Sequence, residues 1–148
     1  MTPATTLPMA LGNALADATV FYHRTHGFHW NVTGMDFPQW HAKFEEIYED
    51  VLESLDPMAE CIRKTNGYAP FRMSDLSARS SIDDSQPSDY TPETLVPDLL
   101  SANEVVLTSL NIAFQMANAQ NQQGIMNFLA DRIDQHNKWQ WQLSASLS

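Results

Sequence analysis

His41, Glu45, Asp56 and Glu60 are four metal-competent side chains on one stretch of helical periodicity. They fall in one arc of about 100°, beside the apolar stripe of the same segment but separate from it. His41 with Glu45, and Asp56 with Glu60, are each four residues apart, so each pair can point at one ion. Carboxylates with imidazole suit a borderline divalent cation such as Fe(II), Zn(II) or Mn(II), and no thiolate stands among them. The two pairs cannot share an ion within one chain, because Glu45 and Asp56 lie eleven residues apart, roughly 16 Å along a helix. Two copies laid antiparallel about a twofold axis between residues 50 and 51 bring His41 opposite Glu60 and Glu45 opposite Asp56 at once. One symmetric dimer then builds two identical His/Glu/Asp/Glu sites. His29, just before the tight connection Asn31 to Gly34, can complete each site. The competing reading is a solvated acidic face with surface histidines.

Four helices must position these groups. Apolar residues recur at three- and four-residue spacing along nearly the whole chain, and strand-like alternation is scarce. A first helix is expected from about Pro8 to Trp30, with Leu11, Leu15, Ala18, Tyr22 and His29 near one face. The second carries Phe37, Trp40, Phe44, Ile47, Val51, Leu55, Met58 and Ile62 as its stripe. Asp36 reads as its N-cap, with Gln39 as capping-box partner and Met35 and Trp40 as a hydrophobic staple. Asn66 to Thr91 is rich in Gly, Pro, Ser and Asp and reads as a crossover, with a short helix from Ser74 to Arg79. Thr91-Pro92-Glu93 reads as the cap of a third helix reaching about Asn118, its regular start delayed by Pro97. Asn121 or Gln122 to Leu147 is the fourth, with Ile125, Phe128, Leu129, Ile133, His136 and Leu143 as its stripe. Two helices, a long crossover and two more helices match the ferritin-like bundle topology. The expectation is an all-α chain, one domain over residues 1–148.

Composition narrows the function. Eighteen acids against eight bases give a net charge of −10, and eight of those acids fall between Asp36 and Glu60. Such a surface attracts cations and repels nucleic-acid phosphates and anionic lipid. No apolar run reaches the ~18 residues of a membrane span. The single cysteine, Cys61, excludes an internal disulfide framework and reads as a small packed residue, so a reducing, cytoplasmic setting is expected.

His29-Trp30-Asn31-Val32-Thr33-Gly34, followed by Phe37, His41, Phe44-Glu45, Tyr48, Asp56 and Met58-Ala59-Glu60, resembles the signature of the Dps family, the miniferritins. The likeness extends to Asp131-Arg132 and the His136, Lys138, Trp141, Leu143 pattern, and no His has a Glu three residues before it, unlike the motif of larger ferritins. The resemblance implies a homododecamer built from twofold dimers, with Fe(II) oxidised to Fe(III) at ferroxidase centres between subunits and stored as ferric mineral. His29, His41 and Glu45 would come from one subunit, Asp56 and Glu60 from the other. Hydrogen peroxide would be the preferred oxidant and dioxygen the slower one. Trp30 would take up stray oxidising equivalents, or serve as a core or interface aromatic. Trp40, Trp139 and Trp141 are assigned to packing.

The sequence departs from that pattern in places. Pro57 sits between two proposed ligands and is expected to kink the second helix. Asn127 stands where many relatives carry an aspartate, leaving Asp131 and Asp134 as acids near the entry route. No lysine-rich tail is present, so DNA binding is expected to be weak or absent. His23 and His26 read as hydrogen-bonded interface histidines rather than an extra iron site, and His136 as structural. The alternative function is a metal-binding or DNA-compacting cage without efficient turnover.

Overall fold

The computed structural model describes Ala4 and residues 6–148; the expected domain also includes residues 1–3 and 5, which lie outside the described residues. The chain forms α1 (Leu7–Asn31), α2 (Phe37–Lys64), α3 (Met73–Arg79), α4 (Pro92–Ala119) and α5 (Gln123–Ala145), and no strand occurs among the described residues. The architecture is the expected all-α four-helix bundle with a short helix in the crossover. Among the described residues, no helix is long and apolar enough to cross a membrane.

Short links make α1/α2 and α4/α5 antiparallel neighbours, and α1 packs on α4 while α2 packs on α5. The backbone N–H of Thr33 donates to the carbonyl of Tyr90 at 2.9 Å, so the crossover ends where α1 passes into α2. The crossover therefore runs the length of the bundle and sets α4 parallel to α2, the arrangement produced by one long connection.

The expected stripes form the core. Phe44, Ile47, Val51, Met58 and Ile62 of α2 are buried, as are Leu11, Leu15 and Ala18 of α1 and Ile125, Leu129 and Leu143 of α5. Phe37 is the exception, exposed at the outer end of the α2 stripe. Cys61 is buried, and burial pushes its thiol pKa up. Trp139 is buried and Trp40 half-buried, but Trp141 is exposed.

Local signals at the helix starts differ from expectation. The side chain of Asp36 makes no capping bond, so the capping box with Gln39 is not formed. Gly34 adopts φ +115°, and its carbonyl receives the N–H of Phe37, closing the turn through backbone alone. That turn leaves Met35 99 % exposed, so no staple with Trp40 exists. Thr91 occupies the N-cap of α4, but its hydroxyl donates to Asp89 at 2.8 Å rather than accepting from the helix. Pro97 does not delay α4, which begins at Pro92 and runs through it. α2 likewise continues through Pro57 without interruption.

Three buried polar ties lock the bundle. Arg24 of α1 holds Asp98 of α4 through two bonds at 2.8 and 2.7 Å and reaches Asp84 of the crossover at 3.2 Å. Asp17 of α1 accepts from Ser80 Oγ and the Ser81 N–H, each at 2.8 Å, and from Ser109 Oγ of α4. Arg132 of α5 grips Asp50 of α2 with two bonds of 2.9 Å. Such ties specify a register because a wrong pairing would strand a charge away from water.

Candidate metal centre

The last turn of α1 and the first turns of α2 meet at His29 and His41. Their rings stack at 3.8 Å between centroids with an interplanar angle of 16°. The bonds behind this stack are reciprocal: His29 Nδ1 donates to the carbonyl of His41 and His41 Nδ1 donates to the carbonyl of His29, each at 2.7 Å. A carbonyl can only accept, so each Nδ1 carries the proton and each Nε2 of the neutral ring keeps its lone pair. This is the tautomer that a metal-ligating imidazole needs, fixed by a backbone acceptor on the far nitrogen.

Glu45, one turn beyond His41 and exposed, brings Oε1 to 3.8 Å from His29 Nε2. His29, His41 and Glu45 thus gather at one end of α2 as the spacing predicts. Asp56 and Glu60 stay together toward the other end of the same helix, both exposed. Among the described residues, no group of three or more His, Cys, Asp and Glu closes into a metal-holding cluster within one chain. Within one chain, the His29, His41 and Glu45 group and the Asp56 and Glu60 pair therefore stay apart.

An aromatic shell surrounds the histidine pair. Phe37 stacks on His41 with centroids 4.8 Å apart. Tyr48 stacks on His26 at 3.9 Å and meets the His29 ring edge-on at 5.2 Å. The Tyr22 hydroxyl lies 3.0 Å from His26 Nδ1, and Trp30, 63 % exposed, sits 4.3 Å from the His26 ring. Burial and the neighbouring His29 and His23 lower the pKa of His26. Burial, then the charges of Glu45 and Glu49, raise that of Tyr48. His26 is a hydrogen-bonded histidine, as expected. The rest of this shell was not assembled from sequence, although Tyr22, His26 and His29 recur at α-helical spacing and carried a signal.

His136 is the structural residue anticipated for it. It is fully buried, donates from Nδ1 to Asn103 Oδ1 at 2.8 Å and lies 3.0 Å from Arg132 Nη2 at its other nitrogen. Burial first, then the Arg132 charge, drives its pKa down to about 3. Asp50 is raised by burial, but Arg132 and the Trp139 N–H outweigh that and hold it below the usual carboxylate range. Asp50, Asn103 and Arg132 were missed as a network. The available signal was that Asp50 sits between Ile47 and Ser54 on the buried side of α2.

The ferritin-like domain family matches residues 9–148. DNA protection during starvation protein 2 of Bacillus anthracis is 28% identical over 138 residues, covering 93% of this chain and 94% of that one. Among solved structures, the Dps protein of Vibrio cholerae O1, described as a member of a broad superfamily of ferritin-like diiron-carboxylate proteins, superposes with a TM-score of 0.90 at 28% identity over the whole of both chains. The Dps of Staphylococcus aureus superposes with a TM-score of 0.89 at 25% identity, over 96% of this chain and 95% of that one. The bundle, its crossover helix and the matched relatives together make this chain a ferritin-like protein of the Dps family.

Proposed function

We propose that the protein stores and detoxifies iron by oxidising Fe(II) at centres shared between two subunits. The reciprocal His29–His41 pairing carries this reading, because it leaves two Nε2 lone pairs free beside Glu45. Asp56 and Glu60 of a twofold-related copy supply the remaining oxygen ligands under the antiparallel register. Carboxylates stabilise Fe(III) more than Fe(II), which eases electron release, while neutral imidazoles limit the charge of the site and keep Fe(II) exchangeable.

Hydrogen peroxide fits as the oxidant. Two Fe(II) each give one electron to the O–O bond of one peroxide, leaving two Fe(III) and two hydroxides, with no hydroxyl radical released. The Fe(III) then hydrolyses to ferric oxyhydroxide and protons, the form in which it is retained inside a closed assembly. The relative named for DNA protection is consistent with this chemistry acting at a distance, since removing Fe(II) and peroxide together spares DNA without a contact. Trp30 would accept an oxidising equivalent that escapes, a reading supported by its exposure beside the aromatic shell.

The test adds Fe(II) anaerobically, then peroxide, and follows ferric absorbance against a protein-free control. His41→Ala and Asp56→Ala each reduce oxidation to the control rate. Mixing the two variants after dissociation and reassembly restores about a quarter of the sites, since half the random dimers are hybrids with one intact centre of two. Oxidation unchanged in both variants, or no recovery on mixing, would overturn the shared-centre reading.

A further inference from the structure

Among the described residues, ten large apolar side chains are exposed, and seven of them cluster along or beside α2. Three lie at its start (Trp30, Met35 and Phe37), three just past its end (Tyr68, Phe71 and Met73), and Leu52 sits near its middle. A chain that ended its life as a monomer would have little reason to concentrate apolar surface this way. Exposed apolar side chains thus stand at both ends of α2, whose midpoint for Phe37–Lys64 falls between residues 50 and 51. That is the same point about which His41 pairs with Glu60 and Glu45 with Asp56. Apolar groups therefore flank the ligand face at both ends of the axis that the ligand spacing defines.

Contacts within the chain show which side of α2 the end groups occupy. Phe37 stacks on His41, so it stands at the border of the ligand face. At the other end, the Arg63 guanidinium lies 4.3 Å from the centroid of Tyr68, and its Nη1 donates to the carbonyl of Gly67 at 2.7 Å. Arg63 is seven residues beyond Asp56 and three beyond Glu60, so it continues the ligand face by one turn. Tyr68 is thus pinned to that face with 85 % of its surface open to solvent. Leu52, between Glu45 and Asp56 at helical spacing, lies on the face as well and is 45 % exposed.

We infer that Tyr68 and Phe37 form an aromatic clasp between two copies of this chain, each Tyr68 covering the partner's Phe37–His41 stack. The occupant is a second copy because the antiparallel register that seats the partner's Glu60 opposite His41 carries the partner's Arg63 and Tyr68 onward to the start of α2. Leu52 meets its own twofold mate at the centre. The clasp supplies apolar contact at both outer ends of an interface whose middle is crowded with carboxylates. It also closes the outer edge of each metal centre with an aromatic ring. This rests on the dimer of the proposed function, but not on iron chemistry.

The experiment is sedimentation velocity on the metal-free full chain over a dilution series. Tyr68→Ala and Phe37→Ala each move dissociation into smaller species to at least tenfold higher protein concentration. The double variant is no weaker than the worse single, because both remove one contact. Helical circular dichroism stays unchanged for Tyr68→Ala, whose side chain is outside the core. Dissociation of Tyr68→Ala within twofold of wild type, or additive losses in the double variant, would overturn the clasp while leaving the shared centre standing. A wild-type chain that is monomeric at every concentration sinks both. A clasp that behaves as expected in a protein that fails to oxidise Fe(II) stands while the iron reading falls.

Discussion

His136 and His41 are both imidazoles beside helices that bear acids, yet their surroundings leave them in opposite states. His136 has both ring nitrogens engaged, by Asn103 and Arg132, and no solvent contact. Asp50, the acid nearest that network, is saturated by Arg132 and Trp139. On the opposite side of α2, His29 and His41 spend only Nδ1, and Glu45, Asp56 and Glu60 are exposed. The buried imidazole has no ring nitrogen left to offer, whereas the outer pair has two Nε2 atoms already oriented. Residue type alone does not mark a site; unspent, pre-aimed donor atoms do. The two faces should therefore respond oppositely to the same kind of substitution.

The largest contrast is between two aspartates six residues apart. Asp50→Ala leaves the Arg132 cation buried without its partner and the Trp139 N–H unanswered, which costs about 3 kcal/mol or more. Urea unfolding followed by circular dichroism reads this as a lowered midpoint. Asp56→Ala removes an exposed side chain with no intrachain bond and changes subunit stability by less than about 0.5 kcal/mol. Under the proposed function it should nevertheless abolish iron oxidation. Equal stability losses for the two would mean that the inner network is not the clamp described here.

Acid separates the faces next. His136 is neutral in the folded chain down to about pH 3, while the unfolded chain protonates it near 6.5. The unfolded state therefore binds the extra proton between those values, and stability falls as pH drops through that window. The slope for one such group is about 1.4 kcal/mol per pH unit. His26, lowered in the same direction, adds to it. Asp50, a depressed carboxylate, keeps its stabilising contribution above its ordinary value of 3.8 and loses it only as pH falls below that, so its loss comes later in the titration. Unfolding midpoints measured between pH 6 and pH 4.5 should flatten in His136→Gln relative to wild type. An unchanged slope would show that His136 is already protonated in the folded chain.

These contrasts also explain what could be read from the sequence. The α2 stripe, the four-helix order and the crossover helix follow from spacing, because burial imposes a helical period on residue type. The His29 and His41 pairing was legible only as proximity; the reciprocal carbonyl bonds depend on the backbone path through Gly34, which no side-chain pattern encodes. The capping box fails at the same turn: Asp36 and Gln39 have the right types, but the Gly34 carbonyl takes the Phe37 N–H and the Asp36 side chain makes no capping bond. Asp50 was hidden by its neighbours: among many acids on α2, only its position relative to Ile47 and Val51 distinguishes it. Trp141 reads as a packing residue, yet within one chain two thirds of it is exposed.

A smaller effect is expected at the turn itself. Gly34→Ala places a Cβ on a backbone at φ +115°, which costs about 1 kcal/mol or more in chain stability. Because this turn sets the approach of α2 to α1, ferrous affinity should weaken in step with the lost stability. Thermal unfolding and anaerobic Fe(II) titration on the same sample test the link. Weakened stability with unaltered affinity would show that the histidine stack positions itself without help from the loop.

The smallest effect decides what the outer face is made of. Glu49 and Glu53 are exposed on α2 between Glu45 and Asp56, and among the described residues neither makes a hydrogen bond or ion pair that would fix its direction. Glu49→Gln and Glu53→Gln should each leave stability within about 0.5 kcal/mol and change the peroxide-driven oxidation rate less than twofold. If instead they slow oxidation as much as Asp56→Ala does, iron is being gathered by summed negative potential, and the acids of α2 act as a field. Salt separates the two cases: a field is screened beyond about 8 Å at physiological ionic strength, while direct ligation is not. Oxidation that survives both glutamines and raised salt, yet fails in Asp56→Ala, assigns the chemistry to specific donor atoms rather than to the charge of the face.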